Sequence, residues 1–273
     1  MRLLFLGDIV GRPGRRAVAE LVPKWRAEFG CELVVANGEN AAGGVGLTPP
    51  VAEELWRSGV DVLTSGNHIW SKKEIIPFLD QDYRPLLRPA NYPPGTPGRG
   101  VYVTRVGEKW PVAVINLQGR TFMEPIDSPF RVVDQCLSSL PEDVRVILVD
   151  FHAEATSEKV AMGWYLNGRV SAVIGTHTHI PTADERILPG GTAYLTDAGM
   201  CGPLDSVLGV ETEVILRAFV TQLPVRHEIA RSGPTVVSGV LIEVDPESGR
   251  ALLIRRIYEV LPPSSPSATA ATT

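Results

Sequence analysis

The chain has 273 residues, of which 44% are apolar and 21% charged, and its formal net charge is −5. This composition supports a sizeable core without disulfide bonds, and the acidic balance argues against a dedicated nucleic-acid binder. No apolar run approaches the ~20 residues that cross a bilayer, and the N-terminal stretch does not resemble a signal peptide, so we expect a cytoplasmic protein with no membrane partner.

The first part of the chain predicts alternating strands and helices. Strand-like runs at 3–6, 33–36 and 60–63 are separated by helical patterns at 15–29 and 50–58. This βαβαβ order favours parallel strands joined by crossover helices.

The middle and the end of the chain predict a mixed arrangement. Further strands are expected at 100–106, 112–116, 144–149, 170–174, 236–244 and 251–258, with a helix at 157–167. The first two strands are expected to pair antiparallel, and the last two to form a hairpin around "DPESG". We therefore predict an α/β fold with a single domain over 1–261 and a disordered Pro/Ser/Ala/Thr-rich tail at 262–273.

Polar residues follow five of the predicted strands, at "GD", "NGEN", "SGNH", "DFH" and "GTHTH". In open α/β sheets, ligands bind outside the carboxyl ends of the strands. Each cluster alone has an ordinary explanation, such as a helix cap, a turn or a pair of histidines on one strand face. Their joint occurrence favours a metal site. The candidate residues are Asp8, Glu39, Asn40, Asn67, His68, His152, His177 and His179.

Other features are interpreted as structural. The three cysteines lack C-x-x-C spacing and are expected as buried thiols in a reducing compartment. Arg12 and His227 are expected at the surface. Trp70 and Tyr92 are expected to serve in packing rather than to stack on a base. Asp150 is either a partner of a ligand histidine or a strand-end cap.

The motifs taken together resemble the calcineurin-like metallophosphoesterases, and most closely their YmdB-like branch of bacterial phosphodiesterases. The similarity runs through "GDIVGRPG", "NGENAAGG", "SGNHIW", "FHAEATSEK", "GTHTH" and "TDAGMCGP". It implies a four-layer α/β/β/α sandwich with mixed sheets and helices outside. It also implies a homo-oligomer, because the family often forms oligomers.

The first motif of the wider superfamily is D-x-H, whereas Val10 occupies the histidine position here. Resemblance to the YmdB-like branch implies that Glu39 bridges two metals and that Asn40 replaces the missing histidine. The implied ligands are Asp8, Glu39, Asn40 and His179 for metal one, and Glu39, Asn67, His152 and His177 for metal two. Oxygen and imidazole donors suit iron or manganese, with zinc as an alternative.

Two such metals would bind a bridging hydroxide that attacks phosphorus. His68 directly follows Asn67 and is the candidate proton donor to the leaving alkoxide. Because Ile69 replaces the acidic residue common at the next position, the sequence does not show what orients His68.

The predicted activity is hydrolysis of small phosphodiesters, such as 2',3'-cyclic or 3',5'-cyclic AMP. A phosphomonoesterase or nucleotidase with the same metals is one alternative, and a regulatory protein that binds RNA or another protein is a second. An amidohydrolase is disfavoured, because its H-x-H motif would end the first strand.

Overall fold

Two β-sheets lie face to face in the computed structural model, which describes residues 1–81, 83–107 and 109–263. The strands of these residues are β1 (Arg2–Leu6), β2 (Asp8–Ile9), β3 (Leu33–Asn37), β4 (Val62–Thr64), β5 (Val101–Val106), β6 (Trp110–Gln118), β7 (Val146–His152), β8 (Ala172–Thr176), β9 (Arg186–Ile187), β10 (Ala193–Leu195), β11 (Met200–Pro203), β12 (Thr235–Val244) and β13 (Ala251–Leu261). The α-helices are α1 (Gly11–Phe29), α2 (Pro49–Arg57), α3 (Ile76–Leu79), α4 (Pro129–Ser139), α5 (Thr156–Tyr165) and α6 (Thr212–Thr221).

Both sheets are mixed, as predicted. The first has the order β2-β11-β12-β1-β3-β4, with β13 paired to β12. Its strands β1, β3 and β4 are parallel, whereas β12 runs antiparallel to β1 and forms the predicted hairpin with β13. The second has the order β5-β6-β7-β8-β10-β9. Here β6, β7 and β8 are parallel, and β5 pairs antiparallel with β6 as expected.

Strand β1 shows how the two sheets and the outer helices form four layers. Side chains alternate between the two faces of a strand. Leu3 and Phe5 face the second sheet and join the core between the sheets, which also contains Leu148. Leu4 and Leu6 face outward and pack in the core that contains buried side chains of α1. A third core lies between the second sheet and the helices α4 and α5. The predicted α/β/β/α sandwich is confirmed.

Helix α1 begins earlier than predicted, at Gly11 instead of residue 15. Pro13 is compatible with the first helical turn, because N–H groups there lack intrahelical partners. A Cβ on Gly14 would lie 2.0 Å from the carbonyl oxygen of Cys201 in β11, so glycine lets the helix approach the sheet. The segment "GRPG" is therefore the first turn of the helix.

Several other predictions can be compared with the structure. The third strand begins two residues later than predicted, at Val62. Asp150 lies within β7, so its interpretation as a strand-end cap is wrong. The three cysteines are free and buried, as expected. Among the described residues, no helix combines the length and apolar character that a membrane crossing requires. Residues 264–273 of the predicted disordered tail lie outside the described residues, and the single domain stays a prediction.

Candidate metal centre

The carboxyl ends of strands from both sheets meet at one edge of the sandwich. Asp8 opens β2, while Glu39 and Asn40 follow β3 and Asn67 and His68 follow β4. These five residues come from the first sheet. The second sheet supplies His152, the last residue of β7, and His177 and His179, which follow β8. The structure thus brings together all eight residues that the sequence singled out.

Three of these residues, Glu39, Asn67 and His177, converge on Nε2 of His152, and we call the four together the His152 cluster. Nε2 of His152 lies 3.1 Å from Oε1 of Glu39, 3.1 Å from Oδ1 of Asn67 and 3.0 Å from Nδ1 of His177. A single imidazole nitrogen makes one hydrogen bond and cannot satisfy three partners. Carboxylate, amide and imidazole groups are common metal ligands, and a cation placed between them would satisfy all of them at once.

Asp8, Asn40 and His179 form a second group, which we call the His179 cluster. Nε2 of His179 lies 3.2 Å from Nδ2 of Asn40 and 3.7 Å from Oδ1 of Asp8. This Asp8 oxygen is buried and has no hydrogen-bond partner among the described residues. A buried carboxylate oxygen without a partner is costly, and a cation would remove that cost. Asn40 Nδ2 also lies 3.2 Å from Oε1 of Glu39, so the two clusters meet at Glu39.

Burial and neighbouring charges shift the pKa values of the clustered groups in opposite directions. Burial raises the pKa of Asp8. Burial would also raise the pKa of Glu39, but the neighbouring His152 outweighs it and lowers that pKa to about 2. Conversely, burial would lower the pKa of His152, but Glu39 raises it to about 9. Burial, followed by the charge of His152, lowers the pKa of His177 to about 3. Glu39 and His152 therefore hold one proton as an ion pair, while His177 is neutral and free to bind metal.

A buried network fixes the tautomer of His152. Thr176 Oγ1 donates a hydrogen bond to Asp150 at 2.7 Å and lies 2.9 Å from Nδ1 of His152. Because the threonine proton is directed at Asp150, its oxygen accepts the Nδ1 proton. The proton shared with Glu39 is then the one on Nε2, and a cation that displaced it would meet the Nε2 lone pair. Asn37 and Thr64 also donate to Asp150. Burial raises the pKa of Asp150 to about 6.

A buried ion pair holds the loop that carries the other two histidines. Lys159 donates to Asp197 at 2.6 Å, and both side chains are buried. The same Asp197 oxygen accepts hydrogen bonds from the backbone N–H and the hydroxyl of Thr178. Thr178 lies between His177 and His179, which both have a positive φ, at 97° and 67°. The ion pair thus anchors a strained turn that serves both clusters.

Glu154 contacts His177 on the side away from the cluster. Its carboxylate oxygen lies 3.1 Å from Nε2 of His177, and the Glu154 side chain is half-exposed. A carboxylate that accepts the second N–H of a histidine orients the ring and makes the other nitrogen a stronger ligand.

His68 lies at the margin of the site. Its backbone N–H donates to Oε2 of Glu39 at 3.1 Å, while its ring Nε2 lies 3.5 Å from Nδ2 of Asn67. The preceding Gly66 is required by space, because a Cβ there would lie 2.2 Å from Nε2 of His152. Arg12 and His227 are exposed, as expected.

A cavity of about 520 Å³ opens next to the His152 cluster. It is lined by Asn67, Phe122, Met123, Glu124, Pro125 and His177. Trp70 and Tyr92 do not line it; their rings meet edge to face with centroids 5.3 Å apart and pack partly buried against the core. Their predicted packing role is confirmed.

Sequence reasoning missed four residues that the structure places at the site: Phe122, Glu154, Lys159 and Asp197. A signal existed for Asp197, which follows β10 just as the metal candidates follow their own strands. Glu154 and Lys159 lie within "FHAEATSEK", where only the histidine was interpreted. Phe122 follows no strand directly, and no pattern in the sequence marks it.

Known proteins resemble this chain over most of its length. The family model described as "YmdB-like protein" matches residues 4–257, which include both clusters. A 2',3'-cyclic-nucleotide 2'-phosphodiesterase of Bacillus subtilis (strain 168) is 53% identical over 258 residues, 94% of this chain and 96% of that protein.

Two solved structures share the fold. A hypothetical protein from Thermus thermophilus has a TM-score of 0.90 at 43% identity, covering 96% of this chain and 100% of that chain. A novel phosphatase from Mycoplasma pneumoniae has a TM-score of 0.89 at 34% identity, covering 95% of this chain and 93% of that chain. The likeness therefore extends across both sheets and the edge where the clusters meet.

Proposed function

Because this chain belongs to the YmdB-like protein family, we propose that it hydrolyses 2',3'-cyclic nucleotides with the aid of two metal ions. Two relatives support the hydrolysis of phosphate esters by this chain: one is named a 2',3'-cyclic-nucleotide 2'-phosphodiesterase and the other a putative phosphatase/phosphodiesterase. The observation that carries the proposal is the convergence of three donors on Nε2 of His152 beside the unpaired Oδ1 of Asp8.

The donor set fits two cations. The His152 cluster would hold one, and Asp8, Asn40 and His179 the other, with Glu39 shared between them. Asn40 would bind through its amide oxygen. A 180° rotation of the amide group exchanges this oxygen with the nitrogen that now faces the cluster. The absence of thiolate from this set favours iron or manganese, with zinc as an alternative. When bound, such a pair neutralises the phosphoryl oxygens and lowers the pKa of an attacking water.

The residues of the chain orient the reaction around that centre. Asn67 and His177 line both the cavity and the His152 cluster, so they place the phosphodiester at its opening. In hydrolysis of a 2',3'-cyclic nucleotide, water adds to phosphorus, the bond to O2' breaks, and O2' takes up a proton. His68 lies beside Asn67 and donates that proton. The product is a nucleoside 3'-phosphate.

Phosphomonoester hydrolysis is the second candidate, because a similar structure is called a phosphatase. The 3',5'-cyclic nucleotides form a further candidate class of diester. We also expect a homo-oligomer, which light scattering of the purified protein tests.

The test combines metal analysis with a substrate panel. We expect about two equivalents of iron or manganese per chain after anaerobic reconstitution. The reconstituted protein should convert 2',3'-cyclic AMP to 3'-AMP faster than it hydrolyses 3',5'-cyclic AMP, and bis-p-nitrophenyl phosphate faster than p-nitrophenyl phosphate. A faster rate on the monoester would favour the phosphatase. Full activity after complete removal of metal by chelation would overturn the proposal.

A further inference from the structure

Phe122 stands at the mouth of the cavity with its ring in solvent. Its side chain is 88% exposed, the highest value among the large hydrophobic side chains of the described residues. Burying a ring of this size is favourable, so one held in solvent next to a binding site calls for an explanation. Its neighbours Met123 and Pro125 continue the same wall of the cavity.

The loop that carries Phe122 is fixed in place next to the His152 cluster. It leaves β6 at Gly119, whose backbone N–H donates to the carbonyl of His152 at 2.9 Å. The carboxylate of Glu158 on α5 then accepts the backbone N–H groups of Arg120 and Thr121, each at 3.1 Å. Strand β7 and helix α5 therefore fix the position of the loop that carries Phe122.

The backbone at Phe122 is strained. Met123 donates to the carbonyl of Arg120 at 3.2 Å and closes a four-residue turn, in which Phe122 is the third residue with φ of 62°. Glycine or asparagine normally takes this position, because a side chain is disfavoured at positive φ. A bulky aromatic residue here is a true outlier, and such outliers cluster at ligand-binding sites.

The cavity thus has two chemically different sides. Asn67 and His177 offer polar atoms that belong to the metal centre, whereas Phe122, Met123 and Pro125 offer apolar surface on the opposite side, interrupted only by Glu124. A nucleotide has the matching division, with a charged phosphate at one end and a flat base at the other. The volume of about 520 Å³ lies within the ~300–1,000 Å³ typical of small-molecule sites.

We propose that Phe122 is a nucleobase-stacking residue that selects nucleotide phosphodiesters over phosphodiesters without a base. The inference rests on the proposed function and adds the part of the substrate that the metal centre does not contact. Every base presents a π-face, so stacking distinguishes nucleotides from other esters and tolerates different bases. Trp70 and Tyr92 cannot take this role while they are packed against each other and the core.

The experiment compares two substrates that differ only in the base: 2',3'-cyclic AMP and methyl ribofuranoside 2,3-cyclic phosphate. The variants are Phe122→Gly, which removes the ring and suits the positive φ, and Phe122→Trp, which restores a stacking face. Phe219→Ala removes another exposed ring, 71% exposed on α6, and serves as the matched control.

We expect Phe122→Gly to lower kcat/KM for 2',3'-cyclic AMP by about 5–150-fold, mainly through KM, and to leave the abasic ester unchanged. Phe122→Trp and Phe219→Ala should stay near the wild type. The melting temperature of Phe122→Gly should equal or exceed that of the wild type, because the strain is relieved. Equal loss on both substrates, or no loss on either, would overturn the stacking role.

Product binding separates this inference from the proposed function. Calorimetry on the metal-loaded protein compares 3'-AMP with ribose 3-phosphate. If the wild type binds 3'-AMP more tightly and Phe122→Gly removes that preference, stacking holds even where 2',3'-cyclic AMP is not turned over and the proposed function fails. If the wild type binds both products equally, stacking fails whatever the turnover.

Discussion

The His152 cluster and the His179 cluster share Glu39 but are built differently. His152 belongs to a strand, is fully buried, and is fixed through Thr176 and Asp150. Its neighbours lie 3.0–3.1 Å from its Nε2. His179 lies in a loop at positive φ, and its Nδ1 contacts the backbone carbonyl of Leu208, another loop residue, at 3.1 Å. Its Nε2 remains 3.7 Å from Asp8.

This difference indicates that cation binding requires less rearrangement of the chain where the ligand lies on a strand than where it lies on a loop. The His152 cluster is already assembled, so binding there requires little rearrangement of the chain. The His179 cluster must draw Asp8 and His179 together, which costs ordering free energy. We therefore infer that a first cation fills the His152 cluster and a second, weaker one fills the His179 cluster.

The largest effect is expected where the two clusters meet. Glu39→Gln removes the one carboxylate that they share, whose negative charge would offset the two proposed cations. Loss of the metal pair removes several kcal/mol of transition-state stabilisation, so we expect a rate loss above about 10³-fold. Elemental analysis should show loss of both metals from Glu39→Gln.

Asn40→Ala is the matched control, because it removes a neutral amide that belongs to the His179 cluster alone. It should retain the metal of the His152 cluster. If Asn40→Ala lost both metals while Glu39→Gln kept both, the assignment of the shared ligand would be wrong.

A second prediction concerns a residue that belongs to neither cluster. His68→Ala should keep its metal content and lose about 10²–10⁴-fold in turnover of 2',3'-cyclic AMP, because the ribose alkoxide needs a proton. The loss should be much smaller for bis-p-nitrophenyl phosphate, whose leaving group needs little protonation. Metal content is measured on the same samples. An equal loss on both substrates would indicate phosphate binding by His68, and a loss of metal would make it a ligand.

The sequence predicted the residues at the carboxyl ends of strands better than the residues that reach the site from other elements. Apolar, β-rich runs located β1, β3, β7 and β8, and parallel strands place their carboxyl ends at one edge, so the candidate residues could be named. Their assignment as metal ligands came from the family resemblance. Short strands such as β2 and β10 give too little periodicity to be recognised. Phe122 and Lys159 were missed for another reason: their roles depend on contacts across the fold, with Asn67 and His177 around one cavity and with Asp197 in one ion pair. Local pattern carries no information on such contacts.

A third prediction tests the anchor that both clusters share. Lys159→Met leaves the buried carboxylate of Asp197 without its cation, which typically costs about 3–5 kcal/mol of unfolding free energy. Because Asp197 also holds Thr178 between the two histidines, metal binding should weaken at both clusters alike. Denaturant unfolding and metal titration measure the two effects.

The double variant Lys159→Met with Asp197→Asn is the control for the buried charge. It should recover part of the lost stability, since the asparagine oxygen still accepts from Thr178 without a charge to compensate. If the single variant were as stable as the wild type, the ion pair would not be the anchor of this turn.

The smallest expected effect is that of Glu154→Gln on metal affinity, and it distinguishes the two clusters most directly. A carboxylate oxygen of Glu154 lies 3.1 Å from Nε2 of His177 in the His152 cluster, whereas Nδ1 of His179 contacts a neutral backbone carbonyl, that of Leu208. Glu154→Gln replaces a carboxylate with a neutral acceptor of the same shape, so the ring keeps its orientation but loses basicity. Such outer partners typically contribute about 10–100-fold to metal affinity. We expect that loss of affinity in the first, tighter step of a Mn²⁺ titration and little change in the second.

Glu142→Gln, at an exposed position away from the site, is the control. If the second step weakened instead, the order of filling inferred from the two clusters would be reversed.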